Sequence, residues 1–243
     1  MITSTSNGQI KKIQQLLKKS RTRKEEGLFV AEGIKMFREA PPERIEKIYL
    51  GASFAEKGIW REILREKGLE EKAESLTEVV EDKVFKSLSD TVTPQGVLCL
   101  IRIKESTLEE MIPEEKPALL MILEDLQDPG NLGTILRTGE GAGVTGIILS
   151  KNSVDIYNPK VIRSTMGSVY RVPFCYTSSI QEEILPWLRE KKITGYAAHL
   201  EGKNSYDQED YTKAAAFFIG NEGNGLSREL SQKADIWIRI PME

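Results

Sequence analysis

Three stretches in the second half of the chain combine residue types that could do chemistry. The first, Glu124-Asp-Leu-Gln-Asp-Pro-Gly-Asn-Leu-Gly-Thr-Ile-Leu-Arg137, runs from an apolar, strand-like segment into a helical one. Pro129 and Gly130 predict a turn, and Asn131 is the residue type that accepts from the free N–H groups of a helix start. Gly133 admits close approach of backbone or ligand, and Arg137 lies about one turn further on the same face. Read alone, Asn131 is equally well only a cap and Arg137 only a surface cation. The second stretch, Phe217-Phe-Ile-Gly-Asn-Glu-Gly-Asn-Gly-Leu226, reads as strand, glycine loop, helix. Its backbone N–H groups could wrap a ligand, with Glu222 an acid at the tip of a buried strand or else part of a hinge. It lacks the Gly-Lys-Ser/Thr ending of a phosphate loop, and Gly139-Glu-Gly-Ala-Gly143 has the wrong spacing for a dinucleotide fingerprint and reads as a helix end. The third stretch, Ile238-Arg-Ile-Pro-Met-Glu243, is a strand running into Pro241 and says little by itself.

The elements that must position these loops alternate. Strand-like runs ALLMILE, TGIILS, RVPFC, ITGYAAHL, AAAFFIG and IWIRIP are separated by helical segments near 130–142, 159–164, 180–190 and 227–234. Continuous apolar strands flanked by helices predict a mostly parallel sheet covered on both faces, and ligands bind such sheets where loops leave the carboxyl ends of the strands. Ahead of this series, LFVAEG, RIEKIYLG and VLCLIRI alternate with helical stretches over 56–67 and 78–88, predicting a smaller α/β domain over residues 1–104. The acidic segment 105–117, with Pro113 and Pro117, reads as a linker to a domain spanning 118–243.

The 243 residues are 40% hydrophobic and 29% charged, which excludes a disordered or collagen-like chain. No apolar run reaches the roughly 20 residues that cross a bilayer, and the start MITSTSNGQIKK has no apolar signal core, so a soluble, cytoplasmic protein is expected. Cys99 and Cys175 belong to no CxxC or Cys/His group; they read as core thiols, and no metal site is expected. The net charge of −3 hides an asymmetry. Lys11, Lys12, Lys18, Lys19, Arg21, Arg23 and Lys24 all precede Glu25, the first acidic residue. Ile10, Ile13, Leu16 and Leu17 recur among them at helical spacing, predicting an amphipathic helix. Its lysine face either attracts phosphates through a salt-sensitive field or is simply solvated.

Taken in order, NLGTILRTGEGAGVTGIILS, IGNEGNGLS and IPM resemble the three motifs of the SpoU-type RNA ribose 2′-O-methyltransferases of the SPOUT superfamily. KVIRSTMGSVYRVP is similar to that family's intervening helix-to-strand segment, and residues 1–104, with FVAEG and TPQGVL, resemble its RNA substrate-binding domain. The resemblance implies an α/β fold whose mostly parallel sheet closes in a trefoil knot. It implies S-adenosylmethionine as methyl donor, structured RNA as substrate (rRNA over tRNA), and a homodimer. By the motif match Arg137, Asn131 and Glu222 are the catalytic candidates, and His199, Leu200, Ile219, Gly220, Asn221, Ile240 and Met242 the donor-binding ones. Lys11, Lys12, Lys18, Lys19, Arg21, Arg23, Arg163 and Ser168 are the RNA-binding candidates. In the family the Ile-Pro-Met strand continues into a glycine, a Ser-Leu-Asn-type motif and a helix, whereas this sequence stops at Glu243. The competing expectation is therefore an RNA-binding protein that lacks catalysis.

Overall fold

The computed structural model describes residues 1–89 and 91–241. The chain forms two compact units, one of residues 1–104 with 155–170, the other of residues 105–154 with 171–243. Segment 155–170, expected with the second domain, thus packs with the first.

The first unit is built on a four-stranded sheet of β1 (Leu28–Glu32), β2 (Ile45–Gly51), β3 (Thr77–Val80) and β4 (Val97–Arg102), ordered β1-β4-β2-β3. β4 runs antiparallel to both neighbours, and β3 parallel to β2. β3 occupies what the pattern predicted as the start of a helix; the helix there begins only at Asp82. Helix Gly8–Lys18 buries Ile10, Ile13 and Leu16 on the sheet, as their spacing required, and Asn7 caps it by accepting from the Gln9 N–H. A second helix, Ser20–Glu26, carries Arg23 into the interior. At 3% exposure Arg23 is ion-paired to Asp155 (Nη2–Oδ2 2.6 Å) and donates to the carbonyl of Leu16 (2.6 Å). Its expected role in RNA binding is therefore corrected to a structural one, because a buried cation must be paired.

The second unit holds a seven-stranded sheet, all of whose pairings are parallel. Its strands are β5 (Leu119–Leu123), β6 (Gly146–Ser150), β7 (Phe174–Thr177), β8 (Thr194–Ala198), β9 (Asn204–Ser205), β10 (Ala215–Ile219) and β11 (Ile236–Arg239). Their order is β7-β6-β5-β10-β8-β11-β9. Leu120, Ile122, Ala216 and Phe218 fill a core with Trp187, Leu188 and Leu230 from the covering helices. On the opposite face Leu119, Met121, Phe217 and Ile219 stay half-buried. The expected linker is part of this unit. Met111, in a short turn of helix, is fully buried and lies where any side chain on Gly146 would have to go, the hypothetical Cβ falling 2.4 Å from Met111 Cγ. No described helix is long and apolar enough to cross a membrane. Cys99 is buried, Cys175 is half-buried, and both are free thiols.

Candidate active site

Because the strands are parallel, the loops that follow β5, β10, β8 and β11 all leave one edge of the sheet, side by side in that order. These loops contain the three sequence stretches. The topology therefore brings together residues nearly a hundred positions apart, and hydrogen bonds tie the first two loops to each other.

The first loop leads from β5 into helix Pro129–Gly141. Its N-cap is Asp128, whose Oδ1 accepts from the Asn131 N–H (2.8 Å), so the expected capping role of Asn131 is corrected. Proline at the first helical position has no N–H to satisfy and a suitable φ; Asp-Pro was the readable signal. Asn131 is thereby free to use its side chain elsewhere, and its Nδ2 donates to Glu222 Oε1 (3.2 Å). Leu132, Gly133, Leu136 and Gly139 face the core, whereas Asn131, Thr134, Arg137 and Thr138 form the exposed face. Arg137, one turn on from Gly133, is exposed like Asn131, Thr134 and Thr138. No ion pair or hydrogen bond with the described residues engages its guanidinium.

Glu222 spans the two loops. Its carboxylate accepts from the backbone N–H of Asp128 (2.8 Å) and of Gln127 (3.1 Å) as well as from Asn131. Desolvation pushes the carboxyl pKa upward, but these donated bonds more than offset it and hold the group at about 2. A second carboxylate missed at the sequence level, Glu124, accepts from the N–H (2.6 Å) and Oγ (2.7 Å) of Ser227, just past the glycine loop. Asp125, in the left-handed region at φ 53°, accepts at Oδ1 from Ser150 Oγ (2.6 Å). Strain of this kind gathers at sites where the surroundings fix the backbone.

The depressed pKa gives a signed expectation. The Glu222 clamp is complete above pH 4.5, the ordinary value for this carboxyl, and is lost as the pH falls through about 2. The protection factors of the Gln127 and Asp128 amides, taken against the intrinsic exchange rate at each pH, should hold at pH 5 and fall toward pH 2. In Glu222→Gln, which accepts less strongly, exchange should be about tenfold faster already at neutral pH. Equal protection in the two proteins would show that the carboxylate does not hold the loop.

The glycine loop closes on itself. Asn221 and Gly225 exchange backbone hydrogen bonds (3.0 and 2.8 Å), and Asn221 Oδ1 accepts from the N–H of Gly223 (2.9 Å) and Asn224 (3.0 Å). Asn221 Nδ2 donates to the Asp125 carbonyl (2.9 Å), so this side chain shapes the loop. A Cβ on Gly220 would fall 2.1 Å from the Gly225 carbonyl carbon. Gly220→Ala should therefore destabilise the unit by about 1–3 kcal/mol through overpacking. A denaturation midpoint equal to that of the wild type would contradict the geometry.

Next to this loop, His199 immediately follows β8, donates its N–H to the Ile238 carbonyl (2.9 Å), stacks on Trp237 with ring centroids 4.2 Å apart, and accepts at Nδ1 from the Glu201 N–H (3.2 Å). Leu200 is 89% exposed at the tip of the following turn, and Ile240, just beyond β11, is 52% exposed. Ile219 and Gly220 are half-buried at the end of β10, which neighbours β8 on its other side. Met242 lies outside the described residues.

The RNA-binding candidates lie in the first unit. Lys11, Lys18 and Lys19 are exposed and make no ion pair with described residues, while Lys12 pairs with Glu26 (2.6 Å) and Arg21 with Glu25 (2.7 Å). Arg163 is exposed on helix Pro159–Thr165. Ser168, 1% exposed, has no surface to offer RNA and is corrected to a buried residue of the turn Ser168–Tyr170. Among the described residues no cluster of His, Cys, Asp and Glu could hold a metal ion.

Comparison with known proteins agrees with this geometry. Residues 118–243 match the SpoU rRNA methylase family, and residues 7–99 match the MRM3-like substrate binding domain. An uncharacterized tRNA/rRNA methyltransferase of Synechocystis is 31% identical over 99% of the chain and 85% of its own length. The 23S rRNA (guanosine(2553)-2′-O)-methyltransferase RlmP of Bacillus subtilis is 28% identical over 68% of the chain; the match spans 63% of that relative's length. The crystal structure of an AdoMet-bound rRNA methyltransferase from Sinorhizobium meliloti superposes on 100% of the chain and 88% of its own, with a TM-score of 0.84 and 30% identity. The chain belongs to the SpoU rRNA methylase family.

Proposed function

We propose that this protein transfers a methyl group from S-adenosylmethionine to a ribose 2′-hydroxyl of structured RNA, rRNA in preference to tRNA, in the cytoplasm and as a homodimer. The observation that carries the reading is the single sheet edge on which the Glu222 clamp, the glycine loop and the turns after β8 and β11 converge, with Arg137 exposed on the helix that starts there. Two of the relatives point the same way: one is a 23S rRNA 2′-O-methyltransferase and another is an rRNA methyltransferase with AdoMet bound.

The residues present fit an adenosyl donor. Leu200 and Ile240 are exposed apolar side chains beyond adjacent strands, a surface that an apolar ring would cover. His199 beside them and Ile219, Gly220 and Asn221 on the neighbouring strand end supply backbone groups, and Gly220 keeps this wall free of a side chain. The donor, when bound, supplies a methyl group already activated on a sulfonium. What the protein adds is alignment and a more alkoxide-like ribose oxygen. Deprotonating a free guanidinium at pH 7 costs about 7.5 kcal/mol. The guanidinium therefore acts as a cation, gripping a neighbouring phosphate and stabilising the developing oxyanion. Asn131, its orientation fixed by Glu222, positions the ribose from the first turn of the same helix. The exposed lysines of the first helix add a long-range attraction for the RNA backbone.

The half-buried apolar row Leu119, Met121 and Phe217, beside Ile135 of the Arg137 helix, lines a cavity of about 320 Å³ in the second unit. Parallel sheets are covered on both faces, and a second copy of the chain is the cover proposed here; light scattering at twice the chain mass tests it. The function itself is tested by mapping 2′-O-methylation in total RNA with and without the gene. One site should vanish on deletion and return with wild-type protein. An unchanged map, together with no calorimetric binding of S-adenosylmethionine, overturns the reading and leaves an RNA-binding protein.

A further inference from the structure

We infer that the first unit contains a receptor for one unpaired RNA nucleotide, with guanine the preferred base. This rests on the proposed action on RNA, but concerns a different site from the methyl-transfer edge. The unit holds a cavity of about 320 Å³ whose lining comes entirely from residues 1–104 and 155–170. That is the small end of ligand-holding cavities, suited to a base with its sugar and too small for a duplex.

Its lining combines apolar side chains with a few polar ones. Val30, Met36, Ile162 and Met166 supply an apolar slot, and methionine adapts readily to a flat ring. Met166 is 41% exposed and stands in the left-handed region at φ 53°, a conformation that costs energy for a side chain of its size and is kept where surroundings impose it.

The polar lining offers an acceptor and a donor. Glu32 Oε1 accepts from the Ser89 and Thr91 hydroxyls, which fix the carboxylate, while Oε2 accepts from no described residue. Gln95 Oε1 accepts from the Ile34 N–H (2.7 Å), which leaves its Nε2 as a donor. A fixed carboxylate beside an amide N–H complements a base edge carrying N–H donors next to a carbonyl. Guanine presents two such donors, N1–H and the N2 amino group, adjacent to O6; the other bases present fewer donors on that edge. Lys35 and Arg163 also line the cavity, and neither makes an ion pair with a described residue. Among the described lining residues, two cations against one carboxylate suit a ligand that brings its own phosphate.

Ligand-observed NMR titration of the full chain with GMP, AMP, CMP and UMP tests this. Saturable GMP binding about tenfold tighter than UMP is expected, with Glu32→Gln reducing GMP affinity about tenfold and bringing the four nucleotides together. Arg163→Ala, on an exposed side chain that the fold does not need, should weaken all four alike, so the proposal stays testable should Glu32→Gln fail to fold. Absence of saturable GMP binding to the wild type, or equal affinity for all four nucleotides, overturns it. Calorimetry with S-adenosylmethionine on the same samples separates the two readings. Donor binding without nucleotide binding overturns the receptor alone, and loss of donor binding in the wild type strikes the methyl-transfer reading instead.

Discussion

Arg137→Ala is expected to lower single-turnover methyl transfer to rRNA by about 10²–10³-fold, the usual effect of removing one donor that stabilises a developing oxyanion. Donor binding should not change, since the side chain is exposed and holds no part of the fold through a hydrogen bond or ion pair with described residues. Arg137→Lys keeps the charge and loses the planar fork, so most of the defect should persist. If the role were that of a base, the rate of the wild type would climb with pH toward the guanidinium range. A cationic role predicts no such climb attributable to Arg137. Near-normal turnover in Arg137→Lys would remove the fork from the mechanism.

The second large effect is on stability. Asp155→Ala should destabilise the first unit by about 3–5 kcal/mol, because it leaves a guanidinium buried without its counter-ion. Thermal unfolding should fall by roughly 10 °C. Asp155→Asn keeps an acceptor but no charge and should fall in between. The double variant Arg23→Met/Asp155→Leu, which removes both charges, should recover much of the loss, since a well-packed apolar pair often replaces a buried ion pair without penalty. A drop of under 2 °C in Asp155→Ala would mean that water reaches Arg23 despite its 3% exposure.

These two arginines show what could be read from the letters and what could not. The exposed placement of Arg137 was legible because its neighbours in sequence are its neighbours in space: a strand, a Pro-Gly turn and a helix present it to solvent. The parallel sheet was legible for a related reason, as strands buried on both faces read as continuous apolar runs. Arg23 sits in a basic run that looks uniform, and its fate is decided by Asp155, 132 positions away. No local pattern distinguishes it from Arg21, whose partner Glu25 is one helical turn along at the surface. Ser168 was misread in the same way. Segment 105–117 has the composition of a linker, yet the space left by the missing side chain of Gly146 receives Met111. The Glu222 clamp was half legible: glycines and an acid announced a shaped loop, but its partners Gln127 and Asp128 donate through backbone groups that no sequence motif records.

The first unit is assembled from two pieces of chain, with Arg23 in one and Asp155 in the other. A protein built this way resists modular inheritance. An exchange between homologues that brought in a foreign segment 1–104 alone would strand a charge in an apolar interior unless the incoming arginine found the same carboxylate waiting. Recognition and chemistry in this chain are therefore expected to drift together over evolutionary time, and anyone retargeting it to a new RNA by grafting has to transplant both pieces at once.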